Sequence, residues 1–283
     1  MDQPFRRLAI GAAFSPNLEA NLCEAARLAL FFNSELLLIH VGEETADKKE
    51  KLHQYLSAFV QQGLNYQTVF RSGDPVSVIL NTTEEQQVDL LIIGAMKQEN
   101  LLTYYVGSIA RKITRNAKCS VLLHIHPSLD RVPCKHIVVN GLDQEQTANA
   151  IGVSCYLAHT LKAEKLTIVE EIDRQEVAVA VEDDRSLRKA TISKERLRRR
   201  ENTRIQNILD VIPKNYKEGL TINSQPIFGK TGYSIGHYAQ VVRADLLVMN
   251  APGKTNFWDR LFPHDIEHIL SELPTDLLII NER

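Results

Sequence analysis

Between Leu90 and His126 the chain gathers residue types that hold an anion through the backbone. Gly94 closes a short apolar run, Leu90 to Ile93, and Lys97 follows it closely. Gly107 and Ser108 then precede apolar residues at helical spacing: Ile109, Ala110, Ile113 and Ala117. A helix entered this way offers the N–H groups of Gly107, Ser108 and Ile109, together with the positive end of its dipole, to a phosphate. Gly107 lets a ligand approach the backbone, Ser108 adds a hydroxyl, and Arg111 and Lys112 keep acid out of the first turn. A Gly-Ser start also serves as a plain helix cap, so both readings of this pair stand.

Other spacings carry less chemistry. Gly229-Lys230-Thr231 follows a strand as in a phosphate-binding Walker loop, but the glycine needed five residues earlier is Ser224. Gly253-Lys254-Thr255 repeats the tripeptide with Val248 at that place. His264 to His268, HDIEH, has the letters of an inverted zinc motif but no evident third ligand, so no metal is expected. His124 and His126 share one face of a strand end and are expected to be interfacial or solvated. No nucleophile, base and acid fall together, so no catalytic residue is assigned and no enzyme is expected.

The elements that position Gly94 and Gly107 follow from periodicity. Leu8 to Ala12 reads as a strand, and Pro16 opens a helix with an apolar face of Leu18, Leu22, Ala25, Ala26 and Ala29. Leu36 to Val41 is a second strand, Asp47 to Gln62 a helix buried through Leu52, Leu56, Phe59 and Val60, and Tyr66 to Phe70 a third strand. After the Gly73–Pro75 turn, a helix over Val76 to Gln86 leads to the fourth strand at Leu90, and Val121 to Ile125 is the fifth. Strands alternating with helices make an α/β domain around a parallel sheet.

A linker, Pro127 to Pro133, ends this half, and the pattern begins again at His136. At an offset of 156 residues Asp245 falls on Asp89, Gly229 on Gly73 and Ile235 on Ile79. Near the amino end the offset is 129, pairing Ala25 with Ser154, so the second half holds an insertion of 27 residues between its second and third strands. We read domains at 1–128 and 129–283, with the insertion around 172–215. Within it, Arg185 to Arg204 holds nine basic and two acidic residues. The segment reads as a long helix with a charged solvent face and a buried side marked by Leu187, Ile192, Leu197, Ile205 and Leu209, and it lacks the aromatics that stack bases. Nucleic acid is therefore not expected. In the second half Asn250 and Gly253 stand for Gly94 and Lys97, while Pro263 and His264 stand for Gly107 and Ser108. Proline has no N–H, and Asp265 and Glu267 would repel a phosphate, so no nucleotide is expected there.

Composition bounds the class. The 283 residues suit two domains, and a net charge of −2 gives no electrostatic footprint for nucleic acid or anionic membrane. Cys23, Cys119, Cys134 and Cys155 have neither CxxC spacing nor scaffold density and are expected as reduced core thiols. No apolar run approaches a membrane span, so a cytoplasmic protein without membrane contact is expected.

The segment from Gly94 to Ser108 resembles the universal stress protein family, whose nucleotide-binding members carry Gly, two residues, Gly, nine residues, then Gly-Ser or Gly-Thr. Lys97 departs from the second glycine. The resemblance extends over LAIGAAFSPNLEANLCEAARLA, LLLIHV and FRSGDPVSVI, nearly all of residues 5 to 126. It implies two doubly wound, five-stranded parallel-sheet domains of the adenine nucleotide alpha hydrolase-like kind, in tandem about a pseudo-two-fold, with strand order 3-2-1-4-5. It further implies that the last strands, Leu122 to His126 and Leu277 to Asn281, pair in an intramolecular pseudo-dimer, with a homodimer as a further association. The ligand it implies is ATP or AMP, with Mg accompanying ATP, at Ala13, Val41, Gly94, Lys97, Gly107, Ser108 and Ile109. The family's Asp-Gly-Ser after the first strand falls on Ala13, Phe14 and Ser15, which removes an acidic nucleoside contact. Two functions follow: a cytoplasmic stress-response regulator that binds adenine nucleotide through its first domain, or a protein-interaction scaffold that uses both domains and the basic helix to hold an unknown partner.

Overall fold

Each half builds its own parallel sheet because its strands are apolar on both faces and need cover from helices on both sides. The computed structural model describes residues 3–94, 96–97, 104–105, 107–125, 127–173, 183–229, 233–251, 273 and 275–281. Met1–Pro133 with Leu270–Arg283 form one compact unit, and Cys134–Ile269 the other.

In the first unit β1 (Arg7–Gly11) lies between β2 (Glu35–Val41) and β4 (Leu90–Gly94), with β3 (Tyr66–Arg71) and β7 (Ser120–His124) outside them, in the order β3-β2-β1-β4-β7. All these pairs are parallel. The order reverses direction between β1 and β4, which leaves a crevice at the strands' carboxyl ends. Leu8, Ala9 and Ile10 are buried. The helix α1 (Leu18–Phe32) buries Leu18, Leu22, Ala25, Ala26 and Ala29 as the spacing predicts. It starts at Leu18 behind Asn17, and Pro16 lies in the preceding turn. Thr45 caps α2 (Ala46–Val60), and Asp74 caps α3 (Pro75–Glu85) by accepting from Ser77 N at 2.9 Å. Val60, expected on the apolar face of α2, is exposed because the helix ends there and the chain turns away through Gln61 to Gly63. In α4 (Ser108–Asn116) Ala110, Ile113 and Thr114 are buried, whereas Ile109 is 49% exposed. With about 100° of turn per residue, Ile109 falls off the face its neighbours share. A two-residue hairpin, β5 (Met96–Lys97) with β6 (Tyr104–Tyr105), stands between β4 and α4.

The second unit repeats the order as β10-β9-β8-β11, with β8 (His136–Asn140), β9 (Lys165–Asp173), β10 (Thr221–Gly229) and β11 (Leu246–Asn250) all parallel. The helices α5 (Thr147–Leu161) and α7 (Tyr233–Val241) flank it, and the inserted helix α6 (Asp184–Val211) joins β9 to β10. On α6 Ile205 is buried, but Ile192, expected on the buried side, is 53% exposed, and Ala190 is buried instead.

A carboxylate ties the first strand of each unit to its crossover partner. Asp89 Oδ2 accepts from Arg6 N and Arg7 N, each at 2.8 Å, while its own N–H donates to Arg7 O at 2.8 Å. Asp245, its counterpart in the repeat, accepts from Lys135 N and His136 N at 2.8 Å each and donates to His136 O at 2.9 Å.

The last strand, β12 (Asp276–Ile280), pairs antiparallel with β7, Leu277 opposite Leu123 and Ile279 opposite Val121. Thus it lies in the compact unit of the first half, although in sequence it follows the second. Side chains clamp both ends. Asn281 Nδ2 donates to Ala117 O at 3.0 Å and Cys119 O at 2.8 Å. At the other end Asp276 accepts from Ile125 N at 2.8 Å and pairs with His124 Nδ1 at 2.5 Å. His124 is therefore largely buried and ion-paired rather than solvated; His126 lies outside the described residues. Cys23, Cys119 and Cys155 are buried thiols, while Cys134 is only half-buried, at the head of the second unit.

Burial acts to lower the His124 pKa, but the hydrogen bond and charge of Asp276, helped by Glu24, outweigh it and the pKa is raised. A raised folded pKa contributes stability that is fully present below the unfolded value of about 6.5 and is lost as pH rises through the folded value. Melting temperature should thus fall over the interval above about pH 6.5. His124→Gln, followed by circular dichroism against pH, should flatten that slope.

Candidate functional site

The crevice of the first unit is built from the carboxyl ends of β1, β2 and β4 and the start of α4. Pairing continues past β1 through Ala12 N to Ile39 O at 2.8 Å, after which Ser15 N bonds Ala13 O at 2.7 Å in a tight turn. That turn leaves Ala13, Phe14 and Ser15 exposed. Val41 is half-buried at the end of β2. Behind the turn His40 is buried, its Nδ1 at 2.8 Å from Ala12 O, which fixes the proton on Nδ1 because the carbonyl can only accept. Phe14 meets the His40 ring edge-on at 5.0 Å between centroids, and His40 meets Phe70 at 5.4 Å. This row of rings across the ends of three strands was not anticipated, because its members lie far apart in sequence.

Gly94 ends β4 beside this turn. A Cβ there would stand 3.0 Å from Asn21 Oδ1 and 3.1 Å from Asn21 Nδ2, so any other residue would require the Asn21 amide to shift by a few tenths of an ångström. Lys97 sits in β5 with extended backbone opposite Tyr104, and its ammonium lies outside the described atoms. Gly107 is the N-cap of α4, with φ −60° and ψ 162°, conformations open to any residue. Gly107 has no side chain with which to cap this helix start, and no acid lies in its first turn. Ser108 and Ile109 are exposed. Of the predicted set, the described backbone therefore brings Ala13, Val41, Gly94, Gly107, Ser108 and Ile109 to the carboxyl edge of one sheet.

In the second unit the matching crevice is filled from inside. Gly141 follows β8, and a Cβ there would stand 2.7 Å from Ile168 Cγ2 and 3.0 Å from Val169 O. Arg204 of α6 donates to Gly141 O, and its Nε lies 3.7 Å from Asp143 Oδ1. Asn250, in the place of Gly94, is buried and donates through Nδ2 to Thr147 Oγ1 at 3.4 Å. Pro263, His264, Asp265, Glu267, His268 and the Gly253-Lys254-Thr255 tripeptide lie outside the described residues, as do Lys230 and Thr231. Gly229 ends β10, paired with Asp173.

The two crevices share a device in reversed form. In the first unit the helix supplies the amide (Asn21) and the strand supplies glycine (Gly94). In the second the strand supplies the amide (Asn250), and the helix residue at the 129 offset is Ala150, buried. Each amide keeps its Oδ1 buried without a hydrogen-bond partner among the described residues.

Residues 42–124 match the sequence model of the universal stress protein family. The first half of the chain is thus similar in sequence to universal stress proteins. Universal stress protein YxiE of Bacillus subtilis is 26% identical over 125 residues, 41% of this chain and 84% of that protein. Among solved structures, a universal stress protein from Archaeoglobus fulgidus is similar over 97% of this chain and 98% of its own, with TM-score 0.65 and 13% identity. A functionally unknown protein, PA1789 from Pseudomonas aeruginosa, is similar over 99% and 93%, with TM-score 0.68 and 17% identity. These similarities establish the universal stress protein fold across both halves. Among the described residues no helix is long and apolar enough to cross a membrane, and no group of three metal-ligating side chains converges.

The reversed amide predicts a compensated pair. Gly94→Asn alone should lose about 1–3 kcal/mol through overpacking against Asn21. Asn21→Ala with Gly94→Asn, which removes the crowding but offers Leu18 where the second unit has Thr147, should recover part of that loss in urea unfolding.

Proposed function

We propose that the first unit binds an adenine nucleotide, ATP or AMP, with the phosphates at Gly107, Ser108 and Ile109 and the nucleoside towards Ala13 and Val41. The observation that carries this reading is the start of α4: an N-terminus whose cap residue is a glycine, with no acid in its first turn, opening beside the switch point of the sheet. At α3, by contrast, the Asp74 carboxylate takes up one such N–H, that of Ser77. Lys112 follows within the same helix and adds positive charge. Magnesium would accompany ATP through the phosphates. The second unit is the partner without a phosphate site, since Arg204 and Asn250 occupy its crevice. On this reading the protein is a cytoplasmic, stress-linked regulator whose state reports adenine nucleotide, and it carries out no chemistry of its own. Association into a homodimer, as implied by the family resemblance, belongs to the same proposal.

Gly107→Asp tests the reading cleanly because the two roles of this position respond in opposite directions. Aspartate is a good N-cap, so melting temperature should hold or rise. Its carboxylate would stand where the phosphate belongs, so affinity for ATP and AMP in calorimetry, with and without magnesium, should fall by at least about tenfold. No heat from the wild-type protein at millimolar ligand would sink the nucleotide reading and leave the interaction scaffold.

A further inference from the structure

The inserted helix α6, 28 residues long where α2 of the first unit has 15, covers a cavity in the second unit. In the paired register of β9 and β10, Ile168 stands beside Ser224 and Leu166 beside Ile222, so these side chains share the sheet face covered by α6. From α6, Ile205 and Leu209 come down onto that face. Between them lies a cavity of about 490 Å³, within the usual range for small-molecule sites. Its floor is Ile168, Ile222, Ile205 and Leu209. Exposed Asn202, Gln206 and Ser224 form its rim.

Charge is placed unevenly along it. Lys217, just beyond the single 3-10 turn Lys214–Tyr216, is the one charged side chain among the described residues that line the cavity. It spends one ammonium donor on Leu209 O, the carbonyl near the end of α6. At the opposite end the buried Glu170 carboxylate accepts from the Ser224 hydroxyl. An anion is therefore disfavoured at the Ser224 end and favoured at Lys217, where an ammonium keeps two further donors in a partly buried setting. The isoleucine and leucine floor between the two ends suits hydrocarbon.

We propose that this cavity binds a small amphiphilic carboxylate, its apolar body along Ile168, Ile205, Ile222 and Leu209 and its carboxylate at Lys217. The proposal concerns the second unit alone and does not rest on nucleotide binding by the first. Arg204 lies on the same helix as Ile205 and holds the Gly141 loop, so an occupant would brace that contact.

The test uses the full chain with sodium octanoate and, as its uncharged isostere, octanamide, titrated by calorimetry. Octanoate should bind once per chain and about tenfold more tightly than octanamide. Lys217→Met should remove that preference while leaving octanamide affinity unchanged, and Lys217→Arg should retain it. Ile205→Trp, which fills the cavity, should abolish binding of both. Ser224→Phe fills it from the strand side and takes over if the tryptophan variant loses its cooperative melt. Failure of octanoate to bind at millimolar concentration, equal binding of the two probes by the wild type, or binding that survives both filling variants would each overturn the proposal.

Discussion

Everything at the carboxyl edge of each sheet depends on a carboxylate at the opposite edge. Asp89 and Asp245 each accept two successive backbone N–H groups at the start of their unit's first strand and return their own N–H to that strand. Three bonds on one residue set the register between the first strand and the fourth, and no one-residue slip can keep all of them. The register carries Leu8 opposite Leu90 in the first unit and Ile137 opposite Leu246 in the second. Some three residues further on, that pairing fixes where the two strands part, and the crevice opens there.

The crevices then diverge by small exchanges of volume and charge. An amide beneath the switch point is common to both, but it comes from the helix in one and the strand in the other, so that Gly94 keeps the first edge open while Asn250 closes the second. Arg204, reaching back from the inserted helix to the Gly141 carbonyl, takes up more of the second crevice. Insertion, amide reversal and loss of the Gly-Ser helix start therefore point the same way. One half starts α4 at a glycine with no acid in the first turn, and the other fills its crevice with Arg204 and Asn250.

Burial also settles the cysteine chemistry. The Cys155 thiol is pushed up to about 11 by desolvation, and burial likewise raises the Cys23 thiol. Neither is a nucleophile near neutral pH, since the thiolate is the reactive species. The rings of Phe14, His40 and Phe70 give the first crevice a rigid, largely apolar wall on the β2 side.

By itself the sequence determined the alternation of strands and helices, the buried faces of α1 and α4 apart from Ile109, the internal repeat, and the Gly94 to Ser108 spacing that places a helix start beside a strand end. These are local patterns: periodicities of two and 3.6 residues, caps and turns act over a few neighbours. Tertiary structure decided what local pattern cannot carry. The last strand follows the second half in sequence, yet Asp276 and Asn281 bind it to the first, since pairing partners are chosen by edge availability and side-chain bonds more than a hundred residues apart. His124, open from its pattern to an interfacial or a solvated place, takes the interfacial one because Asp276 comes to it from that strand. Ile192 is exposed because, two residues on from buried Ala190, it is turned about 200° away from it around the helix. The Asn21 and Asn250 exchange, too, is visible only when a strand residue and a helix residue are seen to meet.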